Sequence, residues 1–95
     1  MRIRVVQSGG FAGLRVERAV KTDDLEASER EDYERLVAEA CFFELPARAT
    51  SGLPDVIQCR VRIDAHGREH EVTTDERTAS MALWALVERV LVSRE

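Results

Sequence analysis

The chain is poor in cysteine, in aromatic residues and in long apolar runs, and each shortage excludes a class of protein. Two cysteines occur among 95 residues, whereas small secreted scaffolds usually carry four or more in a disulfide framework. One bridge between Cys41 and Cys59 is the open alternative. No apolar stretch approaches the roughly 18 residues that span a bilayer, and the N-terminal apolar run is too short for a secretory signal. We therefore expect a soluble cytoplasmic protein with no membrane partner.

Length and charge narrow the class further. An apolar fraction of 44% is typical of a globular chain, and 95 residues allow one domain with one core, which we place over residues 1–95. The net charge of −4 argues against nucleic acid as a partner. The charge is unevenly placed: residues 1–22 carry +4, residues 23–44 carry −7 and residues 45–95 carry −1.

Alternating apolar residues predict four strands in two hairpins. A first strand at Ile3–Gln7 is followed by the glycine-rich link 8–13 and by a second strand over 14–20. The alternation over 57–63 predicts a third strand with one buried face. A turn over 64–67 then leads to a returning strand that continues to Thr74.

Two helices follow the hairpins, one after each. Capping candidates at residues 22–24 predict the start of the first helix, and Pro46 predicts its end at about Phe43 or Glu44. Asp75 or Thr78 is the predicted cap of the second helix, whose apolar stripe runs from Ala82 to Leu91. Residues 47–54 are interpreted as a loop. The fold class is therefore α+β, with two layers in ββαββα order: a four-stranded antiparallel sheet with both helices on one face.

Candidate chemical groups do not converge on a catalytic or metal site. His66 and His70 straddle a predicted turn, and Glu69 directly precedes His70, so the segment is not an HExxH helix. Cys41 and Cys59 lie in apolar patterns and are interpreted as buried structural thiols. The glycine-rich link lacks the lysine of a phosphate-binding loop. We predict no metal, no cofactor and no enzyme activity.

Binding features are clearer than catalytic ones. Phe11 lies within the glycine-rich link, where little core is available to bury it, and such loops commonly bind partners. The loop over 46–55 is a second candidate. The acidic block is either a solvated helix face or a patch for a basic partner. Arg60 and Arg62 either pair with acidic residues of the neighbouring strand or bind an acidic surface.

Three segments together resemble the emfourin family, the protealysin inhibitors. They are Ser8-Gly9-Gly10-Phe11-Ala12-Gly13-Leu14, Phe42-Phe43-Glu44-Leu45-Pro46, and Pro54-Asp55 before the third strand. Cys59 departs from the pattern, which has an aromatic residue there. The resemblance implies a small α/β domain that inhibits thermolysin-like zinc metalloproteases inside the cell. Such enzymes prefer bulky apolar side chains, so Phe11 becomes the candidate anchor in their specificity pocket.

The resemblance and the loops together define the predicted partner-binding residues, which are Gly10, Phe11, Ala12, Gly13, Leu14, Ser51 and Asp55. The Asp55 carboxylate is a candidate to approach the zinc of the protease. The alternative function is a non-inhibitory adaptor module for protein–protein interaction. We expect a monomer, and a homodimer through an exposed edge strand stays open.

Overall fold

The computed structural model describes residues 1–9 and 13–93, which contain two α-helices and five strands. The strands are β1 (Arg2–Gly9), β2 (Leu14–Lys21), β3 (Arg48–Ala49), β4 (Ile57–Ala65) and β5 (Arg68–Asp75). The helices are α1 (Ala27–Glu39) and α2 (Met81–Leu91), and short 3-10 turns cover Thr22–Asp24 and Phe42–Glu44. No helix within these residues is long and apolar enough to cross a bilayer.

The five strands form one mixed sheet in the order β2-β1-β4-β5-β3. β1 pairs antiparallel with β2 and β4, and β4 pairs antiparallel with β5. The predicted α+β class is confirmed. The predicted four-stranded antiparallel sheet and the predicted ββαββα order are wrong, because β3 adds a fifth, parallel strand beside β5 within the predicted loop 47–54 and makes the order ββαβββα. Two residues of β3 are held there by pairing with Thr73 and Thr74, and Thr73 N–H also donates to the Ala47 carbonyl.

One face of the sheet and the two helices enclose the core. Alternate residues of the central strands are fully buried, including Ile3, Val5, Val61 and Ile63. α2 packs against β1, β2 and α1 with its buried stripe, in which Leu86 is completely inaccessible. The helices therefore cover one face of the sheet and leave the other face open.

Both helices begin later than predicted. Residues 22–24 form a 3-10 turn, and α1 has Glu26 as its N-cap with no side-chain capping bond. The N-cap of α2 is Ser80, whose Oγ accepts a hydrogen bond from Leu83 N–H at 3.1 Å. The two predicted caps of α2 are therefore wrong, and the Asp75 carboxylate instead accepts hydrogen bonds within the turn that precedes the helix.

The first helix also ends earlier than predicted. Cys41 adopts a left-handed conformation, with φ of 50° and ψ of 45°, which stops the helix before Phe42. The reversal sends Phe42 into the core, where it is 1% exposed. Cys41 itself is exposed, so its predicted burial is wrong. The aromatic side chain, and not the thiol, occupies the apolar position at this helix end.

Candidate partner-binding loops

The two loops predicted to bind a partner leave the sheet at the same end. β1 ends at Gly9, which pairs with Leu14 at the start of β2 and with Ile57 at the start of β4. β5 ends at Asp75 beside Gln58. We call this the loop end; it comprises the β1–β2 loop (residues 10–13) and the segment 50–56. Residues far apart in the sequence are thus presented together.

Gly9, at the end of β1, lets the backbone before the first loop pack directly against the second loop. Its φ is +96°, a conformation that L side chains rarely adopt, and a Cβ at this position would lie 2.7 Å from the carbonyl oxygen of Val56. Only a glycine allows the two backbones to approach so closely. The end of β1 is therefore in direct contact with the end of segment 50–56.

A buried carboxylate fastens the second loop to β5. The Asp75 side chain is inaccessible to solvent, and its Oδ2 accepts hydrogen bonds from Ser51 N–H at 2.6 Å and from Ser51 Oγ at 2.8 Å. Its Oδ1 accepts from Arg77 N–H at 3.0 Å and Thr78 N–H at 2.9 Å. These donors, led by the Ser51 amide, hold the pKa of Asp75 well below its usual range, although burial opposes the shift. The charged form is thus fully hydrogen-bonded.

Ser51 and Asp55 have different surroundings within this loop. The Ser51 hydroxyl donates to Asp75 and accepts from Leu53 N–H at 3.3 Å, so it shapes the loop from within. Asp55 is exposed at a φ of 58°. Its carboxylate has no hydrogen-bond or ion-pair partner in residues 1–9 and 13–93. Of the two predicted residues, Asp55 is the one whose polar atoms are free to meet a partner.

The first loop is described only at its margins. Gly10, Phe11 and Ala12, three of the predicted binding residues, lie outside the described residues. Gly13 is exposed at a φ of +61°, and a Cβ added there would meet no atom of the described residues within 4 Å. Leu14 begins β2 opposite Gly9. The predicted antiparallel hairpin is confirmed by the pairing of β1 with β2, although β1 extends two residues into the predicted link, to Gly9.

Comparison with protein families shows to which family this chain belongs. The sequence model of the emfourin family matches residues 5–91, which is nearly the whole chain. The chain belongs to the emfourin family. Neither the curated proteins nor the solved structures contain a significant match. Family membership implies a protease-inhibitor role in general, which is consistent with a protein that is not an enzyme.

Two exposed apolar residues at the loop end of this emfourin were missed in the sequence. Leu53 is 51% exposed within segment 50–56, and Met81 is 91% exposed at the first position of α2. Met81 follows Asp75 by a short turn, which a hydrogen bond from Ala79 N–H to the Asp75 carbonyl closes. The only sequence signal was that Met81 lies beside the apolar stripe of α2, and not in it.

The other candidate groups of this emfourin have structural surroundings. His66 occupies the β4–β5 turn, and His70 lies in β5, where its Nε2–H donates to the Leu45 carbonyl at 2.7 Å. Burial raises the pKa of the Cys59 thiol to about 12, as expected for the predicted structural residue. Cys59 and Cys41 are both free. Within the described residues, no three His, Cys, Asp or Glu side chains cluster in a way that would hold a metal ion.

Proposed function

We propose that this protein inhibits thermolysin-like zinc metalloproteases by placing the loop end in their substrate cleft, without forming a covalent bond. The observation that carries the proposal is the juxtaposition of the two loops at one end of the sheet, with the second fastened by Asp75. A loop that is already ordered loses little conformational entropy on binding, so more of the contact energy appears as affinity. Family membership supports an inhibitor role.

Phe11 is the proposed anchor in the specificity pocket. It belongs to the loop that joins β1 to β2, so an insertion there would be braced by two strands that pair over eight residues. Leu53 and Met81 offer further apolar surface at the same end. A central aromatic residue surrounded by smaller apolar contacts is the usual arrangement of an interface hot spot.

The test is a titration of thermolysin and related enzymes with the wild-type protein and with Phe11→Ala. We expect near-stoichiometric inhibition by the wild type and, for the variant, a Ki that is at least tenfold higher, which corresponds to about 1.4 kcal/mol. His66→Asn is the matched control, because it removes an exposed ring from a turn at the other end of the sheet. A change within about threefold for Phe11→Ala would exclude the anchor role.

Asp55 is proposed to approach the zinc of the protease, since its exposed carboxylate carries no internal hydrogen bond among the described residues. Asp55→Asn is a well-matched variant, because asparagine tolerates the left-handed backbone at this position. We expect weaker inhibition with unchanged thermal stability. Equal inhibition by the wild type and Asp55→Asn would show that the Asp55 carboxylate does not contribute to inhibition.

The proposed location is the cytoplasm and the proposed state is a monomer that binds one protease. Two free cysteines support the location, since thiols stay reduced in that compartment. Sedimentation of the protein alone and with the protease tests the stoichiometry. Binding to the protease without any loss of peptide hydrolysis would identify the protein as an adaptor and not as an inhibitor.

A further inference from the structure

The face of the sheet turned away from the helices carries a row of aligned residues that crosses all five strands and includes two arginines. Strand register aligns, from β2 to β3, the residues Glu17, Val6, Arg60, Thr73 and Arg48. Successive side chains of a strand lie on opposite faces of the sheet. The residues next to Val6, Arg60 and Thr73 face the core, so these three face away from it. We call this surface the open face.

The row borders a groove next to the loop end. The groove has a volume of about 420 Å³, and its lining includes three guanidinium groups, those of Arg15, Arg48 and Arg60. Smaller side chains lie between them, namely Val6, Ser8, Gln58 and Thr73. Ser8 and Gln58 are each one residue from the paired Gly9 and Ile57, so the groove reaches the edge of the sheet from which the two loops leave.

The three arginines of the groove are weakly paired within the protein. Arg15 Nη2 is 3.6 Å from Glu17 Oε1, and Arg60 Nε is 3.9 Å from Glu71 Oε1, both beyond hydrogen-bond distance. No carboxylate among residues 1–9 and 13–93 lies within 4 Å of the Arg48 guanidinium. Most N–H groups around the groove are therefore available for an anionic partner.

Two arginines of the open face farther from the loop end, Arg4 and Arg62, are paired within the protein. Arg4 Nη2 donates to Glu17 Oε2 at 2.8 Å, and Arg62 Nη2 donates to Glu69 Oε2. The predicted cross-strand pairing of Arg60 and Arg62 with acidic residues of β5 is thus confirmed. Arg62 is hydrogen-bonded to its partner, whereas the contact of Arg60 with Glu71 is longer. Beside the loop end, by contrast, Arg15 and Arg60 make only long ion-pair contacts.

We propose that this groove binds an acidic segment of the protease that flanks its substrate cleft; the inference rests on the proposed function. Guanidinium groups pair with carboxylates through two parallel N–H···O bonds, so side chains of Asp or Glu suit the groove. The net charge of −4 disfavours nucleic acid. A second copy offers its acidic helix only from the opposite layer, so the contact would join unlike surfaces head to tail and would build a ring or an open chain and no two-fold dimer.

The groove affects the rate of association with the protease more than the affinity of the final complex. Its arginines are exposed, with 63% of the Arg15 side chain and 52% of the Arg60 side chain accessible to solvent. Exposed complementary charges accelerate association at low ionic strength and are screened by salt. The groove would orient the loop end towards the cleft before the loops engage it.

The experiment measures the association rate constant for inhibition of thermolysin, or of the related enzyme that the wild type inhibits most strongly, between 50 and 500 mM NaCl. We expect the double variant Arg48→Glu, Arg60→Glu to associate about tenfold more slowly than the wild type at the lowest salt concentration, with a flatter salt dependence. A single Arg48→Gln variant should show a smaller change in the same direction. Arg35→Glu is the control for charge, because Arg35 lies on α1 in the opposite layer.

Each outcome has a separate meaning. A wild type that inhibits neither thermolysin nor any related enzyme overturns the proposed function and this inference with it. Inhibition by the wild type with an unchanged rate and salt dependence in the double variant overturns this inference alone. Competition between the protease and a labelled 20-base-pair DNA, lost in the double variant, would assign the groove to nucleic acid. Concentration-dependent self-association into larger assemblies, lost in the same variant, would assign it to a second copy.

Discussion

Replacement of Gly9 by alanine tests whether the two binding loops are mechanically joined. The Cβ of an alanine would lie 2.7 Å from the Val56 carbonyl oxygen, too close for either backbone to keep its place. The residue would also have to keep a φ near +96°. Gly9→Ala should therefore both destabilise the fold and displace the second loop.

The magnitude follows from two separate costs. Holding an L residue in a sparsely populated backbone region costs about 1–3 kcal/mol. Relieving the clash with the Val56 carbonyl resembles overpacking of a core and costs about 1–3 kcal/mol more. Together they lower the free energy of unfolding by about 2–6 kcal/mol, a large part of the roughly 5–15 kcal/mol that stabilises a typical domain. The midpoint of thermal unfolding should fall by at least about 10 °C.

The assay is urea and thermal unfolding followed by circular dichroism, with Gly67→Ala as the matched control. Gly67 also has a positive φ, +76°, but a Cβ added there would meet no atom within 4 Å, so its substitution adds backbone strain alone. The excess destabilisation of Gly9→Ala over Gly67→Ala measures the contact between the loops. Equal destabilisation of the two variants would refute the close approach. Inhibition measured where both remain folded should be weaker for Gly9→Ala only.

Three further predictions concern the core, the fastening carboxylate and the thiols. Phe42→Ala should lower the free energy of unfolding by about 3–5 kcal/mol in urea titrations, because the ring is almost completely buried; a loss below about 1 kcal/mol would contradict that packing. Because the folded pKa of Asp75 is depressed, its stabilising contribution is complete above the ordinary value of about 3.9 and is lost as the pH falls below it. The difference in melting temperature between the wild type and Asp75→Asn should thus be largest at neutral pH and shrink in acid; a constant difference would argue against the bonded carboxylate. Iodoacetamide at pH 8 should add one group to the native protein, at exposed Cys41, because burial raises the pKa of Cys59 to about 12; modification of Cys59 at a similar rate would contradict its burial.

Periodicity made the sheet and its core predictable. The alternation over 57–63 correctly placed Cys59, Val61 and Ile63 on the buried face. Side chains alternate between the two faces of a strand, so the apolar set has to face the core. β3 was not predictable in this way. Two residues carry no period, and Arg48–Ala49 becomes a strand only because β5 offers an unpaired edge beside it.

Local conformations and long-range hydrogen bonds account for the remaining differences. Nothing about a cysteine favours the left-handed backbone that ends α1 at Cys41. Asp75 could be proposed as a cap from its neighbours, but its bond to Ser51 joins residues 24 positions apart. Exposure of Leu53 and Met81 likewise depends on which surfaces the fold leaves uncovered, so the apolar part of the loop end emerged only from the structure.

The ladder that joins β1 to β2 has a consequence for the fate of the inhibitor after cleavage. If the protease cut the chain between Gly9 and Leu14, both new ends would remain attached to strands that pair over eight residues, and β1 would also stay paired with β4. The fragments would not diffuse apart, so in the proposed complex the tether would keep each cut end at a high effective concentration beside the protease. A nicked molecule would leave the enzyme no faster than an intact one, and proteolysis alone would not relieve the inhibition.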